Sequence, residues 1–273
     1  MTKRLGQHFL KSDAKIKKII GALELKSNDT IIEIGAGHGE LTKAVIKKFS
    51  NLVVRNFNII AIEKDEKLYE ELVSGDWKAG ESPRLINGDA LKLLPKTIAQ
   101  LPNYSITNYK IIGNIPYYIT GRLLRVLGEL KTKPELIVLT VQKEVAERLT
   151  AKPPRTNILA ASVQIWAKPE IIDHISKKDF KPQPKVDSAV IKLTPQNNYS
   201  ITQLPNYYRL LKILFKQPRK TILNNLADGL IVKKEDLEKK IKAAGINPIA
   251  RPQNLKIEEI KNLQLVLTAL IKN

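Results

Sequence analysis

The sequence predicts a doubly wound α/β domain followed by a small all-helical one. Three observations carry that reading. The β-branched run Ile31-Ile32-Glu33-Ile34 ends at Gly35-Ala36-Gly37-His38-Gly39 and passes into Leu41-Thr42-Lys43-Ala44-Val45-Ile46, the order strand, tight turn, helix. Further apolar runs at 58–62, 84–86, 109–113 and 136–141 follow at intervals that leave room for covering helices, as in a parallel sheet buried on both faces. Runs at 171–175 and 186–193 close the sheet. Beyond Thr194 a polar linker, 195–205, gives way to segments with helical spacing at 207–215, 219–226, 235–243 and 257–271. The predicted domains are therefore 1–194, including an N-terminal arm and helix over 1–24, and 195–273.

Composition narrows the function. The 273 residues include no cysteine, which excludes disulfides, thiolate nucleophiles and thiolate metal sites. His8, His38 and His174 show no metal-ligand spacing, so no metal is expected. No apolar run approaches the ~20 residues that cross a bilayer, and residues 1–10 lack the apolar core of a secretion signal. A soluble, monomeric, cytoplasmic protein is expected. The 46 Lys and Arg against 27 Asp and Glu give a formal charge of +19, spread along the chain. That excess calls for a polyanionic partner, and nucleic acid is the leading class.

Residues 3–20 mix Lys3, Arg4, Lys11, Lys15, Lys17 and Lys18 with apolar positions Ile16, Ile19 and Ile20 at helical spacing, and Ser12 or Asp13 is placed to cap that helix. Before it, Gly6-Gln7-His8-Phe9-Leu10 has no helical period. It reads as an arm, or as a flap that reaches a ligand.

The alternating glycines permit backbone angles closed to other residues and let a ligand lie against the main chain. A dinucleotide fingerprint would need a further glycine where Leu41 stands. Glu63 ends the second strand 24 residues beyond Gly39, the place where nucleoside-binding sheets hold ribose hydroxyls with a carboxylate. In Asn87-Gly88-Asp89-Ala90, Asp89 can cap the next helix and can also accept a hydrogen bond from an adenine amine. Residues 98–109 read as a polar surface excursion.

The fourth strand delivers Asn114-Ile115-Pro116-Tyr117 to the carboxyl edge of the sheet, where such folds bind ligands. An amide and a free carbonyl accept hydrogen bonds from an exocyclic amine, proline fixes the backbone without a competing donor, and tyrosine offers a stacking face. The set suits methyl transfer to a planar amine. Such a nitrogen is a poor nucleophile until both its protons are held and its lone pair is freed from the ring, so positioning does most of the work.

Together, Gln7-His8-Phe9-Leu10, Glu33-Ile34-Gly35-Ala36-Gly37-His38-Gly39, Asn87-Gly88-Asp89-Ala90 and Asn114-Ile115-Pro116-Tyr117 resemble the rRNA adenine dimethyltransferases. Gln142-Lys143-Glu144-Val145-Ala146-Glu147-Arg148-Leu149 and Phe180-Lys181-Pro182-Gln183-Pro184-Lys185-Val186-Asp187-Ser188 are similar to the branch acting on small-subunit 16S rRNA. The resemblance implies a Rossmann-like methyltransferase that uses S-adenosylmethionine to convert two adjacent adenines in the last hairpin of 16S rRNA to N6,N6-dimethyladenosine, on the small ribosomal subunit or its precursor, in ribosome biogenesis. By position it implies that His8, Leu10, Gly35, Gly37, Glu63, Asp89, Ala90 and Asn114 hold the cofactor. Asn114 with Pro116 would take the target amine, and Tyr117 and Phe180 would sandwich the extruded base. An aromatic residue such as Phe180 also commonly serves a core.

In the helical domain, with 14 Lys or Arg against 6 Asp or Glu over 195–273, the resemblance points to Arg219, Lys220 and Arg251 as RNA contacts. Two positions depart from the family. Asn157-Ile158 stand where it usually shows Tyr-Gly, so the loop after the fifth strand is expected to pack differently, and Pro218 stands where it usually has arginine. Rival readings are the antibiotic-resistance branch that methylates 23S rRNA, a nicotinamide-dependent dehydrogenase, and a chiefly noncatalytic ribosome assembly factor.

Overall fold

A computed structural model describes residues 6–51, 58–77, 82–102, 108–196 and 201–271. The basic positions Lys3 and Arg4, residues 103–107 of the polar excursion and residues 197–200 of the linker lie outside the described residues. The chain divides into two compact units, one of Met1–Ala146 with Pro169–Pro195, the other of Glu147–Lys168 with Gln196–Asn273. The sequence division at Thr194 assigned 147–168 to the first domain. Here that segment packs with the helical unit instead.

The first unit is built on a seven-stranded sheet. In chain order its elements begin with β1 (Phe9–Leu10), α1 (Asp13–Ala22), β2 (Thr30–Ile34), α2 (Glu40–Asn51), β3 (Asn58–Glu63), α3 (Glu66–Val73), β4 (Arg84–Asn87) and α4 (Ala90–Ala99). Then come β5 (Tyr109–Asn114), α5 (Thr120–Glu129) and β6 (Leu136–Gln142), with β7 (Ala167–Ile175), β8 (Phe180–Lys181) and β9 (Ser188–Pro195) following residue 166. The sheet order is β4-β3-β2-β5-β6-β9-β7. Strands β4 to β6 pair in parallel, and β9 runs antiparallel to β6.

This order places the site. The chain winds outward from β2 to β4, then crosses back to lay β5 on the other side of β2. Strands β2 and β5 therefore flank the point where the winding reverses, and the crevice beyond their carboxyl ends is where open α/β sheets bind ligands. Gly35 and Asn114 stand at those ends.

Helical spacing decides which side chains cover the sheet. Ile16, Ile19 and Ile20 of α1 and Val45 and Phe49 of α2 pack on Ile31 of β2, Ile112 of β5 and Val138 of β6, all nearly inaccessible. Each such buried side chain contributes about 2 kcal/mol. All of β2 is buried, Glu33 included, although that residue interrupts the apolar run. Ser12 occupies the N-cap of α1 but its side chain makes no cap hydrogen bond, and Asp13 lies inside the first turn, so neither acts as the sequence suggested. Asp65 does cap α3, accepting the Lys67 and Leu68 amides.

The second unit holds α6 (Lys143–Leu149, shared at its start with the first), α7 (Ile158–Gln164), α8 (Leu204–Leu214), α9 (Ile222–Gly229), α10 (Lys234–Ala243) and α11 (Ile257–Ile271). Helix α8 packs on α7, α9 and α11, burying Tyr207, Leu210, Leu214, Leu226, Leu263 and Leu267. It begins at Leu204 rather than Tyr207 because Pro205 fits the first turn, where its missing N–H costs nothing. Helix α9 begins at Ile222 rather than Arg219. Thr221 caps it through the Asn224 amide, which leaves Arg219 and Lys220 on the preceding loop. The Asn157 departure has a structural reason: its side-chain oxygen caps α7 at the Leu159 and Ala160 amides, both at 3.0 Å, while its amide donates to the Arg148 carbonyl.

Candidate active site

The glycine loop opens the site. Gly35, Gly37 and Gly39 have φ of +72°, +60° and +84°, the left-handed region that explains three glycines at alternating positions. A Cβ on Gly35 would meet nothing nearer than the Asn114 carbonyl at 4.0 Å, so the main chain faces open space there. On Gly37 it would strike the Phe9 ring at 3.0 Å.

That space is a cleft of about 1020 Å³ counting its open mouth. Its walls include His8, Leu10, Gly35, Gly37, Glu63, Asp89, Ala90, Asn114, Pro116, Tyr117 and Phe180. These come from the arm, four strand ends and strand β8. The sequence also pointed to Arg219, Lys220 and Arg251, which belong to the other unit. Lys64, Glu40 and Tyr118 line the cleft too and carried no signal in the sequence beyond their place beside a motif.

Glu63 ends β3 with 5% exposure. One carboxylate oxygen accepts the Gly37 amide at 2.9 Å, and the other accepts the Lys64 and Asp65 amides at 2.8 Å each. A carboxylate offers about four acceptor positions, so roughly one remains. Holding both hydroxyls of a ribose would require release of the Gly37 amide, which makes this bond a link between the acidic residue and the loop.

Asp89 does cap α4, through the Leu91 amide, and its other oxygen takes the Lys64 ammonium at 3.0 Å. Burial pushes its carboxyl up, but the Lys64 bond, the Leu91 amide and the charges of Lys64 and Lys92 together hold it below the usual range. An adenine amine at Asp89 would therefore compete with Lys64.

The arm meets the fourth strand's motif directly. The Asn114 amide nitrogen donates to the His8 carbonyl at 2.7 Å, which fixes the side chain with its oxygen free to accept. The arm is itself held, because Phe9 and Leu10 pair antiparallel with Lys181 and Phe180, and the His8 ring nitrogen bonds the Pro182 carbonyl at 2.7 Å. Phe9 also packs against His38, the rings tilted by 52° with centroids 4.4 Å apart. Tyr117 stands beside His8, centroids 5.9 Å apart, and its hydroxyl shares a hydrogen bond with Ser188 at 2.8 Å. Phe180, 5% exposed, belongs to the core cluster and also lines the cleft.

This constellation occurs in a chain of which residues 1–268 match the family model for ribosomal RNA adenine dimethylase. The chain belongs to that family. Relatives named ribosomal RNA small subunit methyltransferase A include one from Dehalococcoides mccartyi strain CBDB1, 38% identical over 268 residues that cover 96% of this chain and 87% of the relative. Another, from Geobacillus thermodenitrificans strain NG80-2, is 30% identical over 277 residues, 99% of this chain and 92% of the relative. Among solved structures, a dimethyladenosine transferase from Plasmodium falciparum is 25% identical with a TM-score of 0.75, over 96% of this chain and 98% of that one. The 23S rRNA methyltransferase ErmE has a TM-score of 0.67 at 22% identity, over 95% and 99%, a likeness of fold.

In the second unit Arg219, Lys220 and Arg251 are exposed. Arg219 and Lys220 sit on a loop fixed by Asn225, 1% exposed, whose amide donates to the Gln217 carbonyl at 3.0 Å and whose oxygen accepts the Gln217 amide at 3.1 Å. Nothing in the sequence marked Asn225. The Ile222 amide donates to the Ala250 carbonyl at 2.8 Å, which brings the Arg251 segment alongside the start of α9. Lys220 is paired with Asp228 at 2.9 Å. No cluster of metal-ligating residues and no helix long and apolar enough to cross a membrane occurs among the described residues.

Proposed function

We propose that the protein uses S-adenosylmethionine to dimethylate the N6 amines of two adjacent adenines in the 3′-terminal hairpin of 16S rRNA, on the small ribosomal subunit or its precursor. The observation that carries this reading is the Asn114–His8 bond inside the cleft at the β2–β5 reversal. It turns an amide into an oriented acceptor beside an open glycine loop. The relatives' name, small subunit methyltransferase, supports the choice of RNA.

The residues present fit the cofactor. The open space before Gly35 admits a nucleoside against the backbone, Glu63 supplies a carboxylate for ribose, and Asp89, Ala90 and the arm close the sides. When bound, S-adenosylmethionine supplies a methyl group on a cationic sulfur. The chain's own part is to place a nitrogen. The Asn114 side-chain oxygen and a motif carbonyl accept the two amine hydrogens and favour a pyramidal nitrogen with its lone pair free. Pro116 stiffens the motif, and Tyr117 and Phe180 hold the unstacked base from its two faces. No strong base is needed, because the proton leaves from a nitrogen already made cationic. Arg219 and Arg251 grip backbone phosphates, with Lys220 joining once it leaves Asp228.

The test is to incubate the protein with methyl-labelled S-adenosylmethionine and undermethylated small subunits, then digest the RNA to nucleosides. Dimethyladenosine at two adjacent sites near the 16S end is expected, and Asn114→Ala should lower the rate at least about a hundredfold, the scale of losing a positioned polar contact. Label confined to 23S rRNA would overturn the assignment.

A further inference from the structure

We propose that Asp187 and Ser188 are positioning residues for the base slot, one dipeptide fixing both of its aromatic walls. This rests on the reading of Tyr117 and Phe180 as the faces that hold the unstacked adenine. A slot for a planar base works only if its walls keep their separation to within about 0.5 Å. Neither wall is held by its own element. Tyr117 opens a single-turn 3₁₀ segment, Tyr117–Ile119, with no buried residue, and Phe180 begins a strand of two residues.

The dipeptide supplies what those elements lack. Ser188, fully buried at the start of β9, holds the Tyr117 hydroxyl at 2.8 Å. Asp187 accepts the Lys177 amide through its side chain at 2.9 Å, and Lys177 opens the turn Lys177–Asp179 that delivers Phe180. The anchor itself is firm: Ser188 pairs with Gln142 across the sheet, and the Asp187 carbonyl accepts the Lys143 amide at 3.0 Å. Burial pushes the Tyr117 phenol up, more than the Ser188 bond lowers it, so the hydroxyl stays intact at neutral pH.

A double-mutant cycle tests this. Single-turnover methylation of undermethylated small subunits is measured alongside the fluorescence of 2-aminopurine placed at the target adenine of an RNA hairpin, without methyl donor, in which stacking in the slot quenches emission. Ser188→Ala and Tyr117→Phe should each slow methylation roughly tenfold and weaken quenching, and the double variant should be no worse than either alone. Donor affinity by calorimetry should not move. Asp187→Ala should produce a smaller loss that Asp187→Asn, which keeps the acceptor, restores. Additive losses in the cycle, or quenching unchanged in the single variants, would overturn the inference. If Ser188→Ala fails to fold, Tyr117→Phe alone decides, since it removes only the half-buried hydroxyl. The underlying reading falls separately, if Tyr117→Leu and Phe180→Leu leave both methylation and quenching intact.

Discussion

Glu33 lies 1% exposed beneath the glycine loop, its carboxylate accepting the Thr42 hydroxyl at 2.5 Å. Burial pushes this carboxyl up from 4.5 to about 8, against the Thr42 bond and with help from the charges of Glu40 and Glu63. A folded value above the unfolded one means that the proton is held more tightly in the native state. The stability so gained is fully present below about 4.5 and is lost as pH rises through about 8. Across that window the linkage is worth on the order of 5 kcal/mol. Glu33→Gln keeps an acceptor for Thr42 without the ionisation, so urea unfolding at pH 5 and pH 8.5 should show the variant gaining on the parent at the higher pH. A gap that stays constant would mean Glu33 titrates normally. Lys110, also 1% exposed, donates to Asp29 at 2.8 Å and to the Glu24 carbonyl at 2.7 Å. Lys110→Met removes the cation from the Asp29 carboxylate, leaving it the Lys26 amide at 2.7 Å as its hydrogen bond, with its other oxygen already lacking a partner. The expected loss is about 3–5 kcal/mol, read as a lower urea midpoint at unchanged slope, and adding Asp29→Asn should recover part of it.

The arm is the element that joins the two halves of the cleft. Its strand β1 pairs with β8, its His8 carbonyl orients Asn114, and its Phe9 ring lies over Gly37. Gly37→Ala therefore does two things. It places a side chain at φ +60°, costing about 1–2 kcal/mol, and drives a Cβ to 3.0 Å from Phe9. Calorimetry should show S-adenosylmethionine binding weakened roughly tenfold; unchanged affinity would mean that the arm gives way freely. Around the arm, much of the cleft's floor was legible in advance, although the pairing of the arm with β8 was not. The glycine spacing announced the left-handed loop, and the acidic strand end at Glu63 followed from its place after an apolar run. The capping of α9 by Thr221 was equally local, yet the basic residues before it were read as helical because their spacing fits a helix as well as a loop.

At the scale of the molecule the charge of +19 dominates. If Arg219 contacts phosphate as proposed, Arg219→Ala should weaken RNA binding across sequences and reduce the slope of log affinity against log salt by about 1. Lys220→Ala should change the slope less, because its ammonium is shared with Asp228, whose carboxyl it holds below the usual range. Filter binding over a salt series measures both; equal slopes for parent and Arg219→Ala would place that side chain outside the RNA interface.

Apart from the short strands β1 and β8, the sequence by itself determined the order of the seven strands of the main sheet, the left-handed glycine loop, the carboxyl-edge motifs and the helical character beyond Thr194. These follow from periodicity and turn chemistry, which act over a few residues. Tertiary structure alone decided the pairings that make those motifs a site: Tyr117 with Ser188, 71 residues apart, Lys110 with Asp29, 81 apart, and Asn114 with His8, 106 apart. It also moved residues 147–168 from the sheet's unit to the helical one. A polar side chain does not record its partner in its neighbours along the chain, because the partner is chosen by which strands and loops the winding of the sheet brings within hydrogen-bonding reach.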